Sequence, residues 1–524
     1  MTFAAPAPPA RPAYLRAGPA GASSLLPWAL AALAVFALYV PHSFRIGPVE
    51  DVAWLLVVAR RVVDGAVLNR DVFEINPPLI VWLNTVPVRV ADATGLSLVH
   101  SLRLCILALG AGAFLALGAV LRRMAELPEA VRGALLLAAV FATTFGVGGM
   151  AGQREHIALL LVLPWLAAAG ATLNGTELPV RLRVGTAVAG AVGLAIKPYF
   201  LPVAVGVEVL ALLRFRMGTF RRPEPWAMGG VFAGYLLLAL AVEPDSFGPA
   251  LEYARAVYQS GWGTTAGDAV RPQFLVVSLA ALAALALPRW RGRVLRAHPV
   301  FGTLAVGAAG FALAYWWQLK GWPNHLYPFS ALSAVALFAG GIALWRRPGA
   351  DAAFNRIAAV ALVALSAWLV MPFTRAPAVQ PTSLATADVV ERAGGAGSVL
   401  ILSGTLSEAF PYVVDSGVEW ASRMPCAYLT YGLQTLEAGG LATGARGRIA
   451  REGAAFSARV LGEDLAAFRP ELVVLGRADG EAILGDLLDD PVFSAEWGRY
   501  REVPVEGRTV YRRLEAEEAA GAGG

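Results

Sequence analysis

The stretch GPVEDVAWLLVVARRVVDGAVLNRDVFEINPPLIVWL, residues 47–83, is a charged segment lodged between apolar runs, and its placement decides the architecture. Residues 25–40 before it form a short apolar run. Residues 99–121 behind it are long enough to cross a bilayer, which takes roughly 17 to 25 apolar residues. The whole connection, 41–98, is too long for a passive turn. Two amphipathic stretches inside it, about 50–64 and 79–93, read as helices lying along a membrane surface, with Val52, Leu55, Leu56 and Val63 on one side. Pro77 and Pro78 form a rigid extended stop before the second.

Outward from this segment the chain is dominated by apolar runs: 132–150, 156–173, 184–201, 199–213, 226–242, 272–288, 299–317, 326–345 and 354–373. With 25–40 and 99–121 they predict a polytopic α-helical membrane protein of about eleven transmembrane helices. Lys197 and Pro198 interrupt the run near 184–213, which reads either as two short helices meeting at a turn or as one kinked helix. The composition agrees, with 57% hydrophobic and only 15% charged residues against about 25% charged in soluble proteins. Soluble enzymes, secreted fibres and DNA-binding proteins are excluded. A net charge of +5 over 524 residues is no nucleic-acid footprint. Two cysteines, Cys105 and Cys426, exclude a disulfide framework and a cysteine metal cluster.

Short cytoplasmic loops collect Lys and Arg. Here every second connection is basic: Arg122, Arg123 and Arg132; Arg181 and Arg183; Arg214, Arg216, Arg221 and Arg222; Arg289, Arg291, Arg293 and Arg296; Arg346, Arg347 and Arg356. This predicts a cytoplasmic N-terminal tail, 1–24, a transmembrane unit, 25–375, and a C-terminal segment on the far side of the cytoplasmic membrane. The tail and first run also have the outline of a signal peptide, but no clear small-residue cleavage site follows, which favours a retained helix.

From about residue 376 the composition changes. SVLILSG (398–404) and ELVVLGR (471–477) read as buried strands ending in glycine, and YREVPVEGRTVYRRL reads as a hairpin turning at Glu506 and Gly507. Strands separated by helices predict a soluble α/β domain over 376–514 in the periplasm, followed by a disordered tail, 515–524.

The chemically dense connections fall opposite the basic ones. They carry Glu50, Asp51, Arg60, Asp71 and Asn76 in the first loop; Gln153, Arg154, Glu155 and His156; Lys197 and Tyr199; and Lys320, Trp322, Asn324 and His325. A further one, 243–271, holds Tyr258, Trp262 and Asp268. Ionisable residues at membrane depth are costly and usually functional. Arg154 and Glu155 also read as a structural ion pair, with His156 a satisfied interfacial residue. Only two of the 43 basic residues are lysine, Lys197 and Lys320. Both stand at outer helix ends, where a compact ammonium suits a phosphate as a point charge. The bland reading is snorkelling to the interface.

The pattern in 47–83 resembles the first outer loop of the GT-C superfamily of polyprenyl-phosphate-sugar glycosyltransferases, the group of the aminoarabinose transferases and protein O-mannosyltransferases. Glu50-Asp51 match that family's acidic pair, Ala59-Arg60 its Ala-Arg, Gly65 its glycine, Asp71 its aspartate and Pro77-Pro78 its paired prolines. The pair here runs Glu then Asp, the reverse of the commoner order, so either carboxylate could be the base. Asn69 and Asn76 replace frequent tyrosine and lysine.

The resemblance implies a sugar transferred from a polyprenyl-phosphate donor to a hydroxyl or amine of an envelope glycan, lipid or protein, with inversion and without a nucleotide. Asp51 or Glu50 would take the acceptor proton. Lys197, Lys320, Arg154 and His325 would hold the departing phosphate. Arg60, Asp71, Asn76, Pro77, Pro78, Glu155, His156, Tyr199, Trp322 and Asn324 would bind substrate or support the site. No cofactor is assigned, and divalent-metal dependence stays open. The competing classes are a flippase or transporter of lipid-linked sugars, which would concentrate charge at mid-bilayer, and a membrane polysaccharide polymerase or ligase.

Overall fold

The computed structural model describes residues 25–261, 263, 265–277, 279, 299–346, 352–375 and 381–514. The expected tails 1–24 and 515–524, most of the run 272–288 and the arginines at 289–296 lie outside them, as does Arg347.

Thirteen helices of eight or more residues precede the C-terminal segment among the described residues: α1 Leu26–Ser43, α2 Glu50–Val63, α3 Pro78–Thr94, α4 Leu98–Arg123, α5 Glu129–Thr143, α6 Arg154–Leu173, α7 Val180–Ala195, α8 Leu201–Phe215, α9 Pro223–Val242, α10 Pro249–Gly261, α11 Pro299–Gln318, α12 Pro323–Trp345 and α13 Ala352–Val370. Local chemistry sets several starts. Proline opens α3, α9 and α12, where its missing N–H costs nothing and its φ is already helical. The Ser97 side chain caps α4 by accepting from the His100 N–H at 3.2 Å.

Seven of the described helical segments are long and apolar enough to cross a membrane: α1, α4, α6, α9, α11, α12 and Ala352–Phe373, which begins with α13. The protein is a polytopic helical membrane protein. The sequence predicts about eleven crossings; α5, α7 and α8, at 15, 16 and 15 residues, fall below spanning length. At Lys197 the backbone is extended (φ −134°, ψ 126°), so α7 and α8 are separate helices.

At the centre runs α6, apolar on every side and buried along nearly its whole length, as expected of an interior helix. A Cβ at Gly170 would lie 2.5 Å from the Val300 Cα, so only glycine lets α11 approach this closely. With 20 residues, α6 is about 30 Å long and separates two polar ends. At its C-terminal end Arg214 donates to the Leu173 carbonyl, Asn174 to Glu126, and Arg183 grips Glu224 at 2.6 and 2.9 Å. At its N-terminal end stand the acidic loops.

The C-terminal segment adds α14 Pro381–Arg392, β1 Ser398–Leu402, β2 Glu419–Trp420, α15 Tyr428–Ala438, α16 Gly444–Phe468, β3 Leu472–Leu475, α17 Gly480–Leu487, α18 Pro491–Trp497, β4 Tyr500–Val505 and β5 Arg508–Arg513. The sheet order is β2-β1-β3-β5-β4. β1 lies parallel to β2 and β3, with Val399 opposite Leu472, and β3 meets β5 antiparallel, with Val474 opposite Val510. Every residue of β1 and β3 is buried, as continuous apolar runs in parallel strands require. β4 and β5 form the expected hairpin around Glu506 and Gly507.

This segment sits on α2. Arg61 donates to the Ser422 carbonyl at 2.6 Å and also to that of Trp420. The Trp54 and Phe410 rings stand 5.4 Å apart, and the Phe73 N–H donates to the Arg423 carbonyl at 2.8 Å. Consequently α2 buries Val52 to Leu56, Val58 and Ala59, more than the single apolar side its sequence suggests. It lies between the bundle and the sheet-bearing segment, and both cover it.

Candidate active site at one end of the bundle

Four chain breaks bring the ionisable residues together. Glu50 and Asp51 open α2, Arg154 and Glu155 open α6, Lys197 occupies the extended link between α7 and α8, and Lys320 and His325 flank the start of α12. Carboxylates in the first turn of a helix meet its positive end.

Asp51 Oδ2 receives the Arg154 guanidinium at 2.8 Å. The Asp51 side chain is 23% exposed and Arg154 only 4%, so the pair runs from a buried cation to an accessible carboxylate. Arg154 also donates to Asn76 Oδ1. Asn76 in turn donates its backbone and side-chain N–H to Glu74 Oε1 at 2.7 and 2.5 Å. Burial raises the Glu74 carboxyl above its usual range, opposed by the Asn76 bonds and the nearby Arg154. Burial likewise raises Glu50, opposed by a backbone N–H and reinforced by the adjacent Asp51.

Behind this pair lies a second cluster. Lys197 Nζ donates to Glu155 Oε1 at 2.5 Å and stands 3.2 Å from His325 Nε2, which is itself 3.6 Å from Glu155. An ammonium donating to Nε2 leaves the imidazole proton on Nδ1. His325 Nδ1, Glu155 Oε2, Arg154 Nε and Gln153 Oε1 are all buried with no hydrogen-bond partner among the described residues. A site retaining both donors and acceptors suits a ligand carrying anionic and hydroxyl groups.

Lys320 lies close enough for its charge to act on His325. Its ammonium donates to the Tyr258 carbonyl, at the end of α10, and lies 4.0 Å from the centre of the Tyr258 ring. The Trp322 ring lies beyond it, tilted 48° to the His325 ring with centres 5.3 Å apart. Burial pulls the Lys320 ammonium down to about 8 and pushes the Tyr258 phenol up.

No family model matches the sequence, and no curated protein matches it. Among solved structures, ArnT from Cupriavidus metallidurans in the apo state is similar with a TM-score of 0.52 at 13% identity, over 94% of this chain and 98% of that one. The same protein bound to undecaprenyl phosphate gives 0.51 at 13% identity, over 95% and 99%. The chain shares the membrane-protein fold of ArnT. Arabinofuranosyltransferase AftD from Mycobacteria aligns with a TM-score of 0.43 at 15% identity, over 94% of this chain and 40% of that one.

Within this fold, several residues singled out in the sequence serve the scaffold. His156 Nδ1 accepts from the Gly152 N–H at 3.1 Å and its Nε2 faces the Thr143 carbonyl at 2.9 Å, so it is a neutral brace. Gly152 has φ +92°, a conformation that glycine alone adopts freely. Arg60 pairs with Asp92 at 2.6 Å on the surface. Asp71 accepts from the Val67 N–H at 2.9 Å and from Arg70, closing its own loop. Pro77 and Pro78 set the start of α3. Tyr199 is 42% exposed, and Asn324 is buried in the first turn of α12. Asp268 and Trp262 have side chains outside the described set.

One contributor, Arg103, escapes the sequence reading, and two more, Glu74 and Tyr258, stand in the charged connections without a role assigned to them. The partners of Glu74 and Tyr258 come together only when the chain folds, whereas Arg103 carried a signal of its own, being an arginine inside the apolar run 99–121. Among the described residues, no three His, Cys, Asp or Glu side chains gather as a metal site would require.

Proposed function

We propose that this chain is a membrane glycosyltransferase that moves a sugar from a polyprenyl-phosphate donor to an acceptor hydroxyl or amine, at the extracytoplasmic face of the cytoplasmic membrane. The observation that carries the reading is the Asp51–Arg154 contact at 2.8 Å, placing an accessible carboxylate against a buried cationic cluster at one end of a GT-C bundle. ArnT, whose fold it shares, is a protein solved with undecaprenyl phosphate bound.

The chemistry follows from charge flow. The acceptor oxygen attacks the anomeric carbon, its proton passes to Asp51 or Glu50, and the bond to the phosphate oxygen breaks on the opposite side. One displacement gives inversion. The leaving phosphate gains charge, and Arg154, Lys197, Lys320 and the His325 Nδ1–H are the donors placed to stabilise it. Lys197 enters as part of its pair with Glu155, so it offers the phosphate its remaining N–H donor. Trp322 and Tyr258 wall the donor side, and the segment 376–514 roofs the site as a periplasmic domain on the unit 25–375, with the N-terminus cytoplasmic. The acceptor is an envelope glycan, lipid or protein.

The test is transfer from a polyprenyl-phosphate sugar by the purified full-length protein. Asp51→Asn is expected to lower the rate by about 10²- to 10⁴-fold, the usual contribution of a general base, while polyprenyl phosphate still binds. Loss of activity in Glu50→Gln with Asp51→Asn active would move the base to Glu50. Full activity in both would remove the carboxylate mechanism.

A further inference from the structure

Arg103 sits in α4, about a turn and a half from its start, and is 1% exposed. An arginine there would ordinarily snorkel to water or pair with a carboxylate. It does neither among the described residues. Its NH1 donates to the Ala151 carbonyl at 2.7 Å, and its NH2 to those of Ile46 and Gly47 at 2.9 and 3.3 Å.

Those carbonyls belong to two separate segments. Ile46 and Gly47 lie just before Glu50 and Asp51, and Ala151 lies three residues before Arg154. Neither segment is regular helix at these carbonyls, so the backbone groups have lone pairs to offer. The planar guanidinium fork reaches both at once, as the tetrahedral ammonium of lysine cannot. His156 secures the 151–155 turn to its own neighbourhood, through Gly152 and Thr143. Arg103 adds what His156 lacks, a direct tie between this turn and the start of α2.

The geometry points to Arg103 as a positioning residue for the transfer reaction, setting the separation of Asp51 and Arg154 by clamping the two backbone segments that carry them. It touches no substrate. This rests on the glycosyltransferase reading for its catalytic consequence, and on the hydrogen bonds alone for the clamp.

Two readouts on the full-length protein in detergent separate the clamp from the chemistry. In Arg103→Lys and Arg103→Gln, amide hydrogen exchange should quicken in residues 45–53 and 150–156 and stay unchanged in the sheet and in α12. In transfer assays kcat should fall by about 10- to 100-fold, the scale of a misplacement near 1 Å, with the donor KM within about threefold of wild type. Arg103→Lys should retain more activity than Arg103→Gln. Unchanged exchange in both segments would overturn the proposal, as would an unchanged kcat in either variant. Exchange raised throughout the chain, or variants that do not fold, would also overturn it by making Arg103 a general support of the bundle. If the wild type transfers no sugar, the glycosyltransferase reading fails, and the exchange pattern still decides whether Arg103 joins the two segments.

Discussion

Lys320 titrates within reach of physiological pH, because burial pulls its ammonium down to about 8. If that ammonium holds the donor phosphate, affinity for polyprenyl phosphate should fall as pH rises through about 8, when the charge is lost. Lys320→Arg should flatten this dependence, since a guanidinium stays charged, and Lys320→Ala should weaken binding by about 1.5 to 3 kcal/mol at pH 7. Equal affinity at pH 7 and 9.5 in the wild type would make Lys320 an interfacial anchor. Glu50 offers a stability test of opposite sign. Its carboxyl is raised in the folded chain above its ordinary 4.5, so ionisation favours the unfolded state once pH exceeds that value. Glu50→Gln should therefore raise the unfolding temperature at pH 7 and lose the advantage below about pH 4.5, where both states bind the proton. At this scale the sequence exposes residue types but not partners. Lysine's rarity draws attention to Lys197 and Lys320, yet the Glu155–Lys197 bond joins positions 42 apart and is visible only in the fold. Arg103 stands out as an arginine inside an apolar run, but the carbonyls it joins are 48 to 57 positions away.

At the scale of elements, α2 is held at both ends. Arg103 ties the loop before it, and Arg61 near its C-terminus donates to two carbonyls of the sheet-bearing segment. Arg61→Ala would leave those carbonyls without this donor, at a cost of about 1 to 3 kcal/mol. The expected result is a lower unfolding temperature together with faster amide exchange at the C-terminal end of α2; unchanged exchange there would show that the segment does not restrain the helix. The strands β1 and β3 were legible because they are unbroken apolar runs closed by glycine. The second covered face of α2 was not, because its cover, Phe410 and Trp420 to Ser422, comes from more than 340 residues downstream, and amphipathicity reports only one buried side. The short helices α5, α7 and α8 show the same limit, since hydropathy continues through Thr144 and Lys197 while helix geometry stops.

For the whole molecule, the polar ends of α6 organise everything else: ion pairs such as Arg183–Glu224 at one, Asp51–Arg154 and Glu155–Lys197 at the other. The alternation of basic connections in sequence foreshadowed this division, because each pair of helices returns the chain to the same end. Placing the arginine end in the cytoplasm predicts that a cysteine at Glu481 reacts with a membrane-impermeant thiol reagent on intact spheroplasts, while one at Arg216 does not, in a background with Cys105 and Cys426 replaced by serine. The reverse pattern would invert the orientation. A structure of the full-length protein with polyprenyl phosphate bound decides whether the end carrying Asp51 is the donor site. The phosphate should lie within hydrogen-bonding distance of Arg154 and at least one of Lys197 and Lys320, beside Asp51. A phosphate bound at the opposite end of the bundle, or near the mid-depth of α6 away from these residues, would contradict it.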